Sequence, residues 1–340
     1  MTDQGVSYPE LSADPVRLLD VADLGIEDST HPVELSPGQT DAPAPAESDE
    51  FLADDDPLYS TTLELLERYG GVIFEGPPGT SKTYYAARIA QKLAGGDSRR
   101  VRFVQFHPSY QYEDFVQGFV PDEGGFYLRP KHLLEMCELA RGRPDEWVVL
   151  VIDELSRGDP GRVFGEALTY VEKSKRGLSF SLASGTMCVI PENLAFLATM
   201  NPLDRGVDEV DAAFERRFAK IAMEPDDRRL ASFLTEAGMA PALADRVREF
   251  FRTVNAKAGF NPMAAIGHTF FVDIHDESDL TRLWEYQLRF LLRKAYRLDP
   301  DGYDDAVRAW AKLFPLPADD QAVGAATGDA DPTSVEPTVE

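Results

Sequence analysis

The sequence predicts an α/β fold: a five-stranded parallel sheet covered by helices, followed by a small all-helical subdomain. Three observations carry this. From residue 61 to about 224, short apolar, β-branched runs alternate with helix-length amphipathic ones, the pattern of a parallel sheet buried on both faces. After Glu224-Pro225 only helix-length patterns remain. The third is the placement of charge: residues 1–56 hold fifteen Asp/Glu and one basic residue, Arg17, while 318–340 hold six acids and no Lys or Arg. The formal net charge of −25 therefore belongs mostly to the two ends, which are also rich in Pro, Ala, Ser, Thr and Gly. Segments of that composition bury too little apolar surface to offset the entropy of ordering them, so both are expected to be disordered.

In chain order, TLELLERY reads as a helix ended by Gly70-Gly71, and VIFE (72–75) as a short buried strand. A Gly/Pro-rich loop follows, and then a helix from Thr83 that stops at Gly95-Gly96. VRFVQF (101–106) and WVVLVI (147–152) are strand-length apolar runs. Residues 160–175 are expected to form one helix, with Asp159 as N-cap and Pro160 in its first turn. LSFSLASGTMCVI (178–190) has the alternation and Ser-Gly turn of a hairpin, and 194–199 and 218–223 supply the last two core strands. Four helices are expected beyond, at roughly 226–237, 241–257, 278–297 and 302–314. The domain boundaries implied are 1–56 (acidic tail), 57–224 (core), 225–316 (helical lid) and 317–340 (acidic tail).

Several function classes are disfavoured. Cys137 and Cys188 are far apart and lack metal-ligand spacing, which suits a reducing compartment and not a disulfide scaffold. No apolar run reaches the ~20 residues of a membrane span, and the acidic start is unlike a signal peptide, so a cytoplasmic protein is expected. No basic stripe marks a nucleic-acid groove, and no sequence-specific nucleic-acid site is expected. The Arg99, Arg100, Arg102 cluster reads as a solvated turn.

The chemistry lies in Gly76-Pro77-Pro78-Gly79-Thr80-Ser81-Lys82-Thr83. Between a strand and a helix, such a loop turns backbone N–H groups onto phosphates. Lys82 adds a mobile cation, Thr83 a hydroxyl for Mg²⁺, and the helix N-terminus a positive dipole end. Ser81 stands where glycine is usual, at a cost on the order of 1 kcal/mol if the backbone there is left-handed. The strand VVLVIDE ends in Asp153 and Glu154, two carboxylates at the sheet edge where ligands of open α/β sheets bind. Asp153 is expected to contact the metal shell and Glu154 to polarise an attacking water, since phosphoryl transfer needs a positioned nucleophile. Asn201, at the end of the next strand, is placed to help orient that water. Arg216 and Arg217 precede the last strand and could stabilise charge on a phosphate of a neighbouring subunit.

Loop, Asp-Glu strand end, Asn strand end and paired Arg, in this order and before a helical lid, resemble the AAA+ P-loop ATPases. Within them the chain is most similar to the McrB-like, dynein-related branch, over roughly 60–297. The strings that carry the resemblance are FHPSYQYEDFVQGFVP (106–121), IDELSRGDPGRVFGEALTYVE, ATMNPLDRG with Asn201, Asp204 and Arg205, and IGHTFF (266–271). The resemblance implies a nucleotide-driven homo-oligomeric ring, hexameric by expectation, with Arg216 or Arg217 acting in trans. It further implies ATP or GTP with Mg²⁺, and a separately encoded effector, typically a nuclease. No modified-DNA-binding domain is expected in the acidic first 56 residues. Glu75 and the small residue Ser81 also resemble the MoxR branch of chaperone-like remodelling ATPases. A nucleotide-gated adaptor with little turnover is the reading from a different class. Lys82, Asp153 and Glu154 are all retained, which favours a live enzyme. His107, Tyr110, Tyr112, Glu113, Asp114 and Phe115 are expected to buttress the sheet edge, and His268 to be a satisfied structural histidine.

Overall fold

A computed structural model describes residues 52, 55–122, 125–201, 212–259 and 261–314. The acidic stretches at both ends, apart from Leu52, Asp55 and Asp56, and Asp204 and Arg205 of the ATMNPLDRG string, lie outside the described residues.

Helix α1 (Pro57–Arg68) opens on a proline, and the Asp56 carboxylate caps it by accepting the N–H groups of Leu58 and Tyr59 at 2.8 and 3.0 Å. Strand β1 (Gly71–Glu75), helix α2 (Lys82–Leu93) and strand β2 (Val101–Gln105) follow. A short helix α3 (Tyr112–Phe115) leads into an antiparallel hairpin, β3 (Gln117–Asp122) and β4 (Gly125–Pro130), and then into α4 (His132–Arg141). Next come β5 (Val148–Asp153), α5 (Pro160–Phe164), α6 (Ala167–Val171) and the hairpin β6 (Ser179–Ser181) with β7 (Met187–Val189). Strand β8 (Leu194–Met200), helix α7 (Ala212–Glu215) and strand β9 (Phe218–Ala222) complete this part.

Five strands form one sheet in the order β2-β5-β8-β1-β9, every pair parallel. Period-two alternation divides their side chains between two layers. Ile73, Leu150, Ile152 and Phe196 face α4, α5 and α6, whereas Phe74, Val149, Val151 and Leu197 pack with α1 and α2. Burial on both faces explains why these strands read as unbroken apolar runs.

Helices α8 (Asp227–Glu236), α9 (Pro241–Ala258), α10 (Glu277–Leu283), α11 (Arg289–Ala295) and α12 (Pro300–Leu313) surround a separate apolar core. At its centre the Trp284 and Trp310 rings stack at 4.6 Å, with Phe250 edge-on to Trp310 at 4.9 Å. The helix expected over 278–297 is α10, a π-helical turn (Trp284–Leu288) and α11 in succession. Among the described residues no helix is long and apolar enough to cross a membrane.

The helix expected over 160–175 is broken. Asp159 and Pro160 start it as read, but Gly165 adopts φ 52°, where the Tyr112 ring leaves no room for a Cβ, and the chain restarts as α6. Arg176 follows, buried. Its guanidinium donates to the carbonyls of Val171, Pro191, Leu194 and Gly70 at 2.6–3.0 Å and lies over the Phe196 ring. One side chain thus ties together the end of α6, the approach to β8 and the start of β1. The Arg99–Arg102 cluster is paired as well as solvated: Arg100 meets Asp97 and Glu146, and Arg102 meets Glu135.

Candidate functional site

The loop after β1 and the ends of β5 and β8 leave the sheet from one edge, because parallel register sets Glu75 beside Met200 and Phe74 beside Thr199. The Gly76 N–H donates to the Met200 carbonyl at 3.1 Å, which anchors the loop's first residue to the neighbouring strand. Lys82, first residue of α2, curls back so that its ammonium donates to the carbonyls of Gly76 and Pro77 at 2.9 and 2.7 Å. That holds a cation in the mouth of the loop.

Beside it lies a connected polar network. The hydroxyls of Thr83 and Thr199 donate to the same oxygen of Asp153, at 2.8 and 2.6 Å. The Glu154 N–H in turn donates to the Thr199 hydroxyl at 3.1 Å. Two donors on one oxygen fix the Asp153 carboxylate while its other oxygen remains an acceptor. The arrangement brings together the loop threonine and the strand-end acid that the sequence singles out. Thr199 is the member that sequence reasoning missed. Its signal was a lone hydroxyl in the otherwise apolar strand LAFLATM.

Glu154 has φ 55°, a left-handed turn that carries its side chain away from the strand line, and its carboxylate accepts from Arg157 Nε at 3.0 Å. Asn201 is buried next to β8, and its carbonyl accepts from Ser156 Oγ at 3.4 Å. Behind this edge Phe106 stacks on Tyr110 and meets Phe115 edge-on, so the aromatics of the FHPSYQYEDF string pack as a support. Among the described residues no cluster of His, Cys, Asp and Glu could by itself hold a metal ion.

Arg216 and Arg217 are elsewhere. The Arg217 carbonyl accepts from Gly70 N–H at 2.9 Å, and Phe218 pairs with Gly71, so both arginines stand at the opposite edge of the sheet. The length of β1, five residues, separates them from the loop, on the order of 16 Å. With Arg68, Lys173 and Lys175 they line a cleft of about 560 Å³. Neither can reach the loop of its own chain.

Ser81 takes φ 63°, ψ 23°, a left-handed conformation that costs an L-residue roughly 1–2 kcal/mol. Its hydroxyl lies 2.9 Å from His268 Nε2, a buried histidine of the helical region. A cleft of about 740 Å³ opens beside this contact between α2 and α8, lined by Tyr84, Tyr85, Arg229, Phe233 and Thr269 among others. The Arg229 guanidinium sits 3.9 Å above the Tyr85 ring.

Residues 71–218 match the AAA domain of the dynein-related subfamily. Over this segment the chain is similar to dynein-related AAA domains. A curated relative, the "Type IV methyl-directed restriction enzyme EcoKMcrB subunit" of Escherichia coli, is 34% identical over 229 residues, covering 62% of this chain and 49% of that protein. The "Type II restriction enzyme BsuMI component YdiS" of Bacillus subtilis is 25% identical over 200 residues, 47% of this chain and 58% of that protein. The chain thus spans about half the length of the curated relatives it matches. The matched segment ends at the start of β9, and the helical region that contributes His268 follows it.

Proposed function

We propose that the chain is a Mg²⁺-dependent nucleoside triphosphatase that assembles into a ring and powers a separate effector of a restriction system. The observation that carries the enzymatic part is the Thr83–Asp153–Thr199–Glu154 network beside a lysine-bearing loop at the sheet edge. The Thr83 hydroxyl and Asp153 carboxylate are hard oxygen donors, a set that fits Mg²⁺, which would neutralise charge on the bound phosphates. In this reading the backbone N–H groups of Gly79 to Thr83 bind the phosphates, and Lys82 turns from the loop carbonyls onto them. Glu154 positions and polarises the attacking water, with Asn201 assisting. Departure of Glu154 from its Arg157 pair would accompany that role.

The placement of the arginines supports the ring reading. Arg216 and Arg217 stand a strand's length from their own loop, so a role on phosphate requires the loop of a neighbouring copy. Residues 225–316 would serve as the lid. Both curated relatives are named as components of restriction enzymes, which supports an effector nuclease as partner.

The test is phosphate release with ATP and GTP side by side across protein concentration, with Glu154→Gln as control. Turnover that rises with concentration and vanishes in the variant supports the proposal and names the base. Binding without turnover, even at high concentration, would replace it with a nucleotide-gated adaptor.

A further inference from the structure

We propose that Ser81 and His268 form a latch between the phosphate loop and the lid, with His268 as a positioning residue for the loop. The inference rests on reading the loop as a nucleotide site. It starts from three contacts that converge on one spot. His268 Nε2 lies 2.9 Å from Ser81 Oγ. The Thr269 N–H donates to the Gly79 carbonyl at 3.0 Å. Gly267 is seated so tightly on the carbonyls of Gly79 and Pro78 that a Cβ there would overlap them. The lid turn Gly267–Phe270 therefore rests directly on loop backbone.

The tautomer of His268 is set by its other nitrogen. The Asp226 N–H donates to His268 Nδ1 at 3.2 Å, so the ring proton is on Nε2 and is donated to the serine hydroxyl. Asp226 caps α8 and follows β9 by four residues, at the point where the sheet hands over to the lid. One imidazole thus spans the hinge, the lid turn and the loop. Because Ser81 immediately precedes Lys82 and holds a left-handed turn, any rotation of the lid pulls on the backbone that presents Lys82 and the first amides of α2.

This gives the departure from glycine a function. Glycine would adopt φ 63° without strain but has no acceptor for the imidazole. Serine accepts the strain and gains the contact. The neighbouring cleft between α2 and α8 would open or close with the same motion.

The experiment is a double-mutant cycle on the full chain, using Ser81→Ala, His268→Phe and the pair. It reads the Kd of a ribose-labelled fluorescent ATP or GTP analogue with Mg²⁺, and the thermal midpoint of the nucleotide-free protein. Each single variant should weaken binding roughly tenfold, and the pair no more than either alone. Ser81→Gly should weaken binding similarly although it relieves strain, and His268→Gln, which keeps a donor, should recover part of the loss. Single variants that bind like wild type, effects that multiply in the pair, or a Ser81→Gly variant that binds as tightly as wild type would overturn the latch. If wild type binds neither analogue, the proposed function falls. The cycle in the thermal midpoint then decides the latch, with non-additivity supporting it and additivity refuting it.

Discussion

Replacing Thr199 with valine removes one hydroxyl and little else, because the two side chains have nearly the same shape. Thr199 is 2% exposed, so no bulk water replaces what is lost. Two hydrogen bonds disappear: the donation to Asp153 Oδ1 at 2.6 Å and the acceptance from Glu154 N–H at 3.1 Å. The Glu154 amide would be left without its acceptor, at about 1–3 kcal/mol, and Asp153 would keep only the Thr83 donor, a further loss of about 1 kcal/mol. Valine recovers some of this through apolar contact in the strand, so the net expectation is about 2–3 kcal/mol of unfolding free energy. Thr199→Ser keeps the hydroxyl and loses only a methyl, at about 1 kcal/mol. The assay is urea unfolding of both variants, paired with a Mg²⁺ titration of nucleotide turnover. Valine should raise the Mg²⁺ concentration needed for half-maximal turnover about tenfold, through a misoriented Asp153, while serine leaves it near wild type. If valine and serine cost the same stability and show the same Mg²⁺ dependence, the hydroxyl does not organise the site.

Arg176→Met should destabilise the protein by about 3–5 kcal/mol in denaturant unfolding, because the buried carbonyls of Val171, Leu194 and Gly70 and the half-buried one of Pro191 lose the guanidinium donor. Burial lowers the Arg176 pKa only to about 10, so the cation it removes is present at neutral pH. Gly267→Ala, whose Cβ would overlap the Gly79 and Pro78 carbonyls, should cost roughly 1–3 kcal/mol and weaken nucleotide binding. For His268, burial first and the nearby Arg229 guanidinium second lower the pKa from 6.5 to about 4, with Asp226 opposing. A buried neutral histidine binds fewer protons than its unfolded form, so its stabilising contribution is complete above pH 6.5 and declines as pH falls towards 4. The loss amounts to at most about 3 kcal/mol. Unfolding midpoints measured from pH 7.5 to 4.5 should show that slope in wild type and a shallower one in His268→Gln; equal slopes would remove His268 as its source.

Most of the sheet was legible because its strands are buried on both faces and so are written as unbroken apolar runs, separated by helical patterns and punctuated by Gly and Pro. The loop was legible because phosphate-binding backbone demands glycines at short fixed spacing, followed by Lys and Thr. Asp153 and Glu154 stood out as acids closing an apolar strand. Less legible were elements whose pattern is weak or local. Helix α4 was overlooked although Leu133, Met136, Cys137 and Ala140 share one buried face, and the hairpin β3–β4 carries exposed aromatics at Phe119, Phe126 and Tyr127 instead of an alternating face.

Sequence spacing alone determined which residues leave the sheet at the same edge, since the strands of a parallel sheet all deliver their C-terminal residues to one edge. Only the tertiary structure decided that Thr199 organises Asp153, that Arg176 reaches the carbonyl of Gly70, and that Ser81 meets His268. Those contacts join residues 46, 106 and 187 positions apart. Separations of that size are set by how helices and strands pack, and no local periodicity encodes them. The loop's left-handed serine was readable as an oddity, and its reason lay on the other side of the fold.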